Sequence, residues 1–375
     1  MIKNIKYIGF YSPNNLKYNR TSALSAMDKM NYVSHTLNSL NYHVKILSPS
    51  WILGTGFDFH KKITLNEKTE VEIAPSFGSS NKFTNYLSII TSLSWLFIKL
   101  ILTTKKNDKI FAYHSPWLSL VLLIAKKIRR FYLILEVEEI YQDVQTIHPF
   151  LDTLEKVIIE NSDAFIFSTE LLESKWNTKQ KPFIILYGNY KVPKVLNKPQ
   201  KDGKVKLLYA GIIDRHKAGA FNAVELANFL DKNYEIYIIG FGEVDQLKER
   251  INQINQFSEC KVFYEGVKTG DDYTKFCQSC HIGLSTQNNT GNYVDSSFPS
   301  KVLSYMGLGL NVVSVDILPL RLSKISKKIY YISDYKKIRD LIQHINLNNF
   351  DHQRNIILNL DIEFKTKLSK ILNNE

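Results

Sequence analysis

Residues 297–313 read SFPSKVLSYMGLGLNVV. Pro299 suits the first turn of a helix, where the N–H it lacks has no partner anyway. Ser297 or Ser300 stands where a side-chain oxygen caps a helix or meets an anion, and Lys301 adds a cation. Gly309 ends the helix, and the apolar run 311–315 that follows reads as a buried strand. Upstream, residues 209–219 (YAGIIDRHKAG) follow a strand and precede another helix. Gly211 at a strand end lets a ligand approach the backbone. Arg215 and Lys217 place cations beside a helix N-terminus, which itself attracts anions. A solvated turn accounts for the same residues. Two helix starts with basic residues in one α/β domain nevertheless suit a diphosphate.

Outward from these segments, strands and helices alternate along the chain. Strands are expected at 205–209, 235–239, 261–264, 282–285 and 311–315. The first half opens with a buried strand at 5–10, a polar loop and a helix over 22–40. Its residues Leu24, Met27, Met30, Val33 and Leu37 keep helical spacing. Further strands are expected at 44–47, 110–113, 132–137, 164–167 and 183–186. This order predicts parallel sheets covered by helices. Residues 192–204, with two prolines and a glycine, read as a linker. The expected divisions are 1–192, 193–345 and a helical segment 346–375.

Residues 83–102 are the most apolar stretch, with Ser88, Ser92 and Lys99 as a thin polar stripe. They fall short of a convincing spanning segment. A core helix or a helix lying in a membrane interface remain the two readings. A helix at 118–128 ends in Lys126, Lys127, Arg129 and Arg130, cations that suit a helix C-terminus as well as an anionic surface.

The chain has 375 residues, with 48 Lys+Arg against 36 Asp+Glu. That length predicts two domains with sizeable cores. The net charge of +12 predicts attraction to anionic partners. The charge is spread along the chain, without zinc-finger spacing or an RNA-binding signature, so nucleic acid is not expected. Three cysteines cannot build a disulfide framework, which points to a reducing, cytoplasmic compartment. Lysines interrupt the first apolar run, unlike a signal peptide.

No P-loop and no GxGxxG occurs; Gly240-Phe241-Gly242 lacks the third glycine. No Asp-x-Asp occurs, so neither a divalent metal nor a cofactor is expected. Cys277-Gln278-Ser279-Cys280-His281 matches a haem-attachment pattern in letters, and Cys260 with Cys277, Cys280 and His281 would supply four zinc ligands. Small buried cysteines in a packed helix are the favoured reading.

An ordered set of motifs resembles the GT-B-fold glycosyltransferases, especially the family-four type of bacterial capsule and lipopolysaccharide assembly. The set is YAG…K (209–217), IIGFG (238–242), VFYEG (262–266), HIGLST (281–286) and FPSKVLSYMGLGLNVVS (298–314). The likeness is close over 205–316 and faint in the first half, through AYHSP (112–116) and LEVEE (135–139). It implies an α/β protein of two Rossmann-like domains facing across a cleft. By position it implies that Lys217, with Arg215, binds the donor diphosphate. Gly211, Phe298, Pro299, Ser300 and Lys301 would belong to the same donor site. Gly242, Glu265 and Val267 would lie near the nucleobase. The family often carries two glutamates eight apart; the matching slots here are Ser296 and Ser304, with Asp295 as a substitute.

The first half would then hold the acceptor, on the loop with Asn19 and Arg20 at the carboxyl end of the first strand. His114 matches a position where the family places a histidine near the reacting sugar. A histidine satisfied by backbone bonds is the other reading. Glu138 would serve as base in an inverting enzyme, or as half of a salt bridge. Glu136 is expected to have a structural partner. The resemblance implies a metal-independent, retaining transferase that uses a nucleotide-sugar, a UDP-sugar, on a glycan or lipid-linked acceptor. Peripheral contact with the inner membrane face is a further expectation. A catalytically inactive sugar-binding relative and a UDP-sugar epimerase are the alternatives; a dehydrogenase lacks its glycines.

Overall fold

The computed structural model describes residues 3–13, 16–140, 148–200, 203–288 and 297–373. The chain divides into two units: Met1–Tyr187 with Phe364–Glu375, and Gly188–Glu363. The last helix, Phe350–Asn373, is grouped with the second unit at its start and with the first from Phe364 on.

The first unit opens with β1 (Lys3–Ile8), α1 (Leu24–Ser39) and β2 (Tyr42–Ser48). In α1, Met27, Met30, Val33 and Leu37 are buried. Leu24, expected on that apolar face, points to solvent instead, because the helix only begins there. Next come β3 (Gly56–Asp58), β4 (Lys61–Asn66), β5 (Thr69–Ile73) and β6 (Ser76–Gly78), none of them expected. β3 and β6 have three residues each, too short for a period to show, while the alternation in β4 and β5 is a strand signal that the sequence reading passed over. After α2 (Lys82–Thr103) come β7 (Lys109–Tyr113), α3 (Pro116–Arg129), β8 (Tyr132–Val137), β9 (Ala164–Phe167) and β10 (Phe183–Ile185). The sheet order is β10-β9-β8-β7-β1-β2-β5-β4. Only β4 runs antiparallel, on β5. A helix over Pro149–Asn161, unread in the sequence, packs on α3.

The second unit contains β11 (Val205–Ala210), β12 (Tyr234–Ile239), β13 (Lys261–Tyr264), β14 (Ile282–Ser285), β15 (Asn311–Val315) and β16 (Ile329–Ile332). The six-stranded sheet is ordered β13-β12-β11-β14-β15-β16, every pairing parallel. In each unit the order reverses beside the first strand, between β1 and β7 and between β11 and β14. At such a reversal, helices leave on opposite faces and the carboxyl ends of the strands open a crevice for a ligand.

The cysteine motif resolves as packing. Cys260, Cys277 and Cys280 are buried, unlinked thiols. His281 accepts the Lys206 N–H at Nδ1 and contacts the Gln200 carbonyl through Nε2, both at 3.0 Å. Both imidazole nitrogens are therefore engaged by backbone and unavailable to a metal. Gln278 is buried and bonds the backbone of Leu196, Asn197 and Lys194.

Candidate active site

The crevice of the second unit is built around Lys301. Its helix, Lys301–Leu308, runs into Gly309 at φ +96, where a side chain would strike the Phe350 ring. On the face of the helix turned to the sheet, Tyr305 takes the Ala210 N–H on its hydroxyl at 2.8 Å. Its ring lies where Gly283 has no side chain. This packing aims Lys301 at the end of β11. Its ammonium sits 3.9 Å above the Tyr209 ring and 3.3 Å from where a side chain on Gly211 would begin. An ammonium over an aromatic face is attracted by the ring's negative quadrupole. Burial, and then repulsion from Lys217, lower its pKa to about 8, with Asp214 opposing. Two cations thus converge beside an exposed backbone turn.

Lys217 sits on a turn tied at both ends. Its N–H donates to Asp214 Oδ1 at 2.7 Å, and its carbonyl accepts the Asn288 N–H at 2.8 Å. Ala218, at φ +52, adopts a left-handed conformation unusual for a residue with a side chain. Asn222 then binds the Thr286 carbonyl and Asn288 Oδ1, linking the ends of β11 and β14. Arg215, expected to join Lys217, is exposed and lies 3.6 Å from Glu243.

The glycines of IIGFG serve the backbone. A side chain on Gly240 would meet the Gly211 carbonyl at 1.8 Å, and one on Gly242 the Ile213 carbonyl at 2.1 Å. The loops after β11 and β12 therefore touch backbone to backbone. The Gly240 N–H donates to the Gly266 carbonyl at 3.0 Å, adding the loop after β13. Phe241 and Val267 are exposed on these loops, and Glu265 lies 3.4 Å from Lys268. Phe298 is buried, Pro299 half-buried and Ser300 exposed. Ser300 makes no capping bond with its side chain. Ser304 is exposed on the helix. Asp295 and Ser296 lie outside the described residues.

In the first unit, Phe10, Thr21, Ser25, His114, Glu138 and Glu139 are among the residues around a cavity of about 250 Å³. His114 is buried, with Nε2 3.3 Å from Glu155 Oε1. Burial lowers its pKa to about 4, against a hydrogen bond to the Glu139 backbone, so the ring is neutral at pH 7. Glu138 Oε1 is 2.7 Å from the ammonium of Lys29, a buried lysine that also donates to the Leu186 carbonyl at 2.8 Å. Glu136 is fully buried and bonded to the Tyr7 hydroxyl; burial pushes its carboxyl up.

The acceptor-loop expectation needs correction at Arg20. Its guanidinium turns inward to the carbonyls of Ser50 (2.7 Å) and Ala74 (2.9 Å) and to Asp58 (3.1 Å). It holds the loop instead of reaching a ligand, because a buried guanidinium must satisfy its donors. Asn19 is exposed, its carbonyl accepting the Leu53 N–H. Sequence reading missed Lys29, Tyr209, Asp214 and Glu155 as neighbours of the candidate residues. Tyr209 and Asp214 stood inside the quoted motif; Lys29 and Glu155 carried no local signal.

No family model matches the chain, and no curated protein matches it in sequence. Solved structures do match. A trehalose-6-phosphate synthase from E. coli bound with UDP-2-fluoro glucose aligns over 99% of this chain and 98% of its own, at TM-score 0.67 and 11% identity. Sucrose-phosphate synthase from Thermosynechococcus elongatus aligns over the whole of both chains at TM-score 0.67 and 13% identity. HepE from Anabaena, in complex with UDP, does so at 0.65 and 10%. The chain has the two-domain fold of these GT-B glycosyltransferases.

Proposed function

We propose that this protein is a glycosyltransferase that moves a sugar from a nucleotide-diphospho-sugar, a UDP-sugar, to a glycan or lipid-linked glycan of a bacterial surface polysaccharide. The observation that carries the donor half is the Lys301 ammonium at the Gly211 turn, with Lys217 near enough to repel it, at the strand reversal of the second unit. In the transfer, the bond from the anomeric carbon to the diphosphate oxygen breaks and its electron pair stays on the diphosphate. The acceptor hydroxyl oxygen takes the vacated bond, and its proton passes to the departing diphosphate oxygen. Charge grows on the leaving group; the Lys301 ammonium, held beforehand over the Tyr209 ring, would stabilise it with little reorganisation, and Lys217 adds a second positive charge from its fixed turn. The exposed Phe241 and Val267 offer apolar surface to a base. That HepE is in complex with UDP, and the E. coli synthase with a UDP-sugar analogue, supports uridine as the nucleoside.

The cavity at His114 and Glu138 is the acceptor candidate, in keeping with its place at the other strand reversal. Retention and metal independence follow the motif resemblance. Ser304, in a slot the family fills with glutamate, favours the inactive sugar-binding relative as the second reading. The test is UDP release from a panel of UDP-sugars in EDTA, with and without a membrane glycolipid extract. Acceptor-dependent release from one sugar is expected. UDP binding with no release from any sugar would instead select the inactive relative, and failure to bind UDP would remove the donor assignment.

A further inference from the structure

We propose that α2 and α3 together form the surface by which the first unit docks flat on an anionic lipid bilayer. The first observation is that α2 is packed inside out. Its polar stripe faces the unit: Ser88 bonds Ser76 at 2.9 Å and Ser92 donates to the Pro75 carbonyl at 3.3 Å. Lys99 lies 2.8 Å from Glu72. On the opposite side apolar residues face out, with Phe83 68% and Leu102 75% exposed and Tyr86, Ile90 and Ile98 between them. Water penalises such an arrangement, whereas a hydrocarbon boundary rewards it.

The neighbouring helix continues the surface. α3 packs on α2 and exposes Trp117, Leu120, Ile124 and Ile128 along one stripe. The facing halves of the two helices close the core through Leu96, Leu100, Leu118 and Leu122. Apart from Trp117, which packs on Trp51, the outward side chains of these stripes lie 41–75% exposed.

Charge selects the occupant. Residues 82–107 and 115–131 contain no Asp or Glu. Both helices end at the same edge of the sheet: the Asn107 N–H donates to the Arg130 carbonyl at 3.2 Å, and Arg129 Nε donates to the Thr104 carbonyl at 2.6 Å. This gathers Lys105, Lys106, Lys127 and Arg130 at one end of the apolar surface. A groove of about 620 Å³ opens there, in which Lys127 and Arg130 stand beside Leu123, Ile124 and Val157. Its acidic residue, Asp163, is paired with Lys126. Asp108, next to this cluster, lies 3.5 Å from Lys6, so the nearby carboxylates each have another lysine. An apolar surface rimmed by Lys105, Lys106, Lys127 and Arg130 matches acyl chains beneath phosphate headgroups. At the other end, Trp117 packs on Trp51 and Trp51 on Phe10, which reaches the His114 cavity.

The helix lies in the interface and does not span it. α2 is long and apolar enough to cross a bilayer. Crossing would strip Ser88, Ser92 and Lys99 of their partners and pull Leu96 and Leu100 from the core.

The experiment is co-sedimentation of the full chain, without nucleotide, on vesicles of neutral phosphatidylcholine with and without phosphatidylglycerol. Binding to the anionic vesicles is expected, released by high salt. Two variants separate the contributions. Lys127→Glu with Arg130→Glu should weaken binding at least about tenfold, since each cation near an anionic surface contributes on the order of fivefold. Ile90→Gln with Ile98→Gln and Ile124→Gln should abolish it while thermal unfolding stays unchanged, because all three side chains are solvent-facing. Equal binding by wild type and both variants, or none by wild type, overturns the proposal. So does a lipid-free dimer that the glutamine substitutions dissociate, since a second copy would then cover the surface. Retention on vesicles that only detergent reverses would show a spanning helix and also overturn it. The outcome is independent of UDP binding, so this proposal and the transferase reading fail separately.

Discussion

Lys301 shows how one side chain combines two opposed effects. Burial lowers its proton affinity, yet the site needs its charge. A bound diphosphate favours the ammonium, so binding and protonation are linked. UDP affinity should be full below about pH 7 and should fall as the pH rises through about 8, where the free lysine loses its proton. Lys301→Met should weaken UDP binding by about tenfold to a hundredfold, the size of a lost charge-assisted hydrogen bond of ~1.5–3 kcal/mol. The variant should also lose the alkaline fall. Calorimetric titration from pH 6.5 to 9 measures both. An unchanged affinity would mean that the ammonium does not touch the diphosphate. His114 differs in kind: its lowered pKa keeps it neutral, suited to hydrogen bonding and not to charge.

Among the elements, α2 depends on β5 beneath it. Glu72 on β5 meets Lys99 of α2 at 2.8 Å and Lys45 of β2 at 3.1 Å. Burial alone would raise its pKa. The hydrogen bonds from Lys99 and Lys45 outweigh that and hold it at about 2, against an ordinary 4.5. A depressed carboxylate contributes stability above its unfolded pKa and loses it as pH falls towards the folded value. The stability of the first unit should therefore drop between about pH 4.5 and 2. Glu72→Gln should lower the melting temperature at pH 7 and flatten that acid limb. Melting curves across the acid range check it; parallel curves for the two proteins would mean that the ion pairs are neutral to stability. β4 ends the sheet, and its Lys61 and Lys62 are charges of the kind that discourage a further strand from pairing there.

At the scale of the whole molecule, the last helix decides how the units depend on the chain's end. Phe364 and Leu368 are buried in the first unit, and Phe364 stacks on Tyr32 at 5.7 Å. Lys109 donates to the Ile371 carbonyl at 2.9 Å. Deleting 364–375 opens this seam, at roughly 2–5 kcal/mol for each large buried side chain lost. Calorimetry of the truncated chain should show the first unit's transition lowered or missing and the second unit's little changed; an unaltered first transition would mean that the helix is only an appendage. The alternation of buried strands and amphipathic helices was legible in the sequence, because a side chain's period along an element reports burial locally. The YAG…K and SFPSK motifs were legible for the same reason: helix starts and glycine stops are local chemistry. The strands β3 and β6 and the helix Pro149–Asn161 were not, since three-residue strands carry no period and the helix buries only Glu155, Ile158 and Ile159 on its inner face. Nor could the sequence show which way α2 faces, that Arg20 turns inward, or that Lys29 reaches Glu138. The sequence by itself determined a two-part parallel α/β protein with a lysine at a helix start in its second half. Only the tertiary structure decided which cations converge, which glycines serve backbone contact and which apolar residues face out, because those depend on residues far apart in the chain competing for the same buried space.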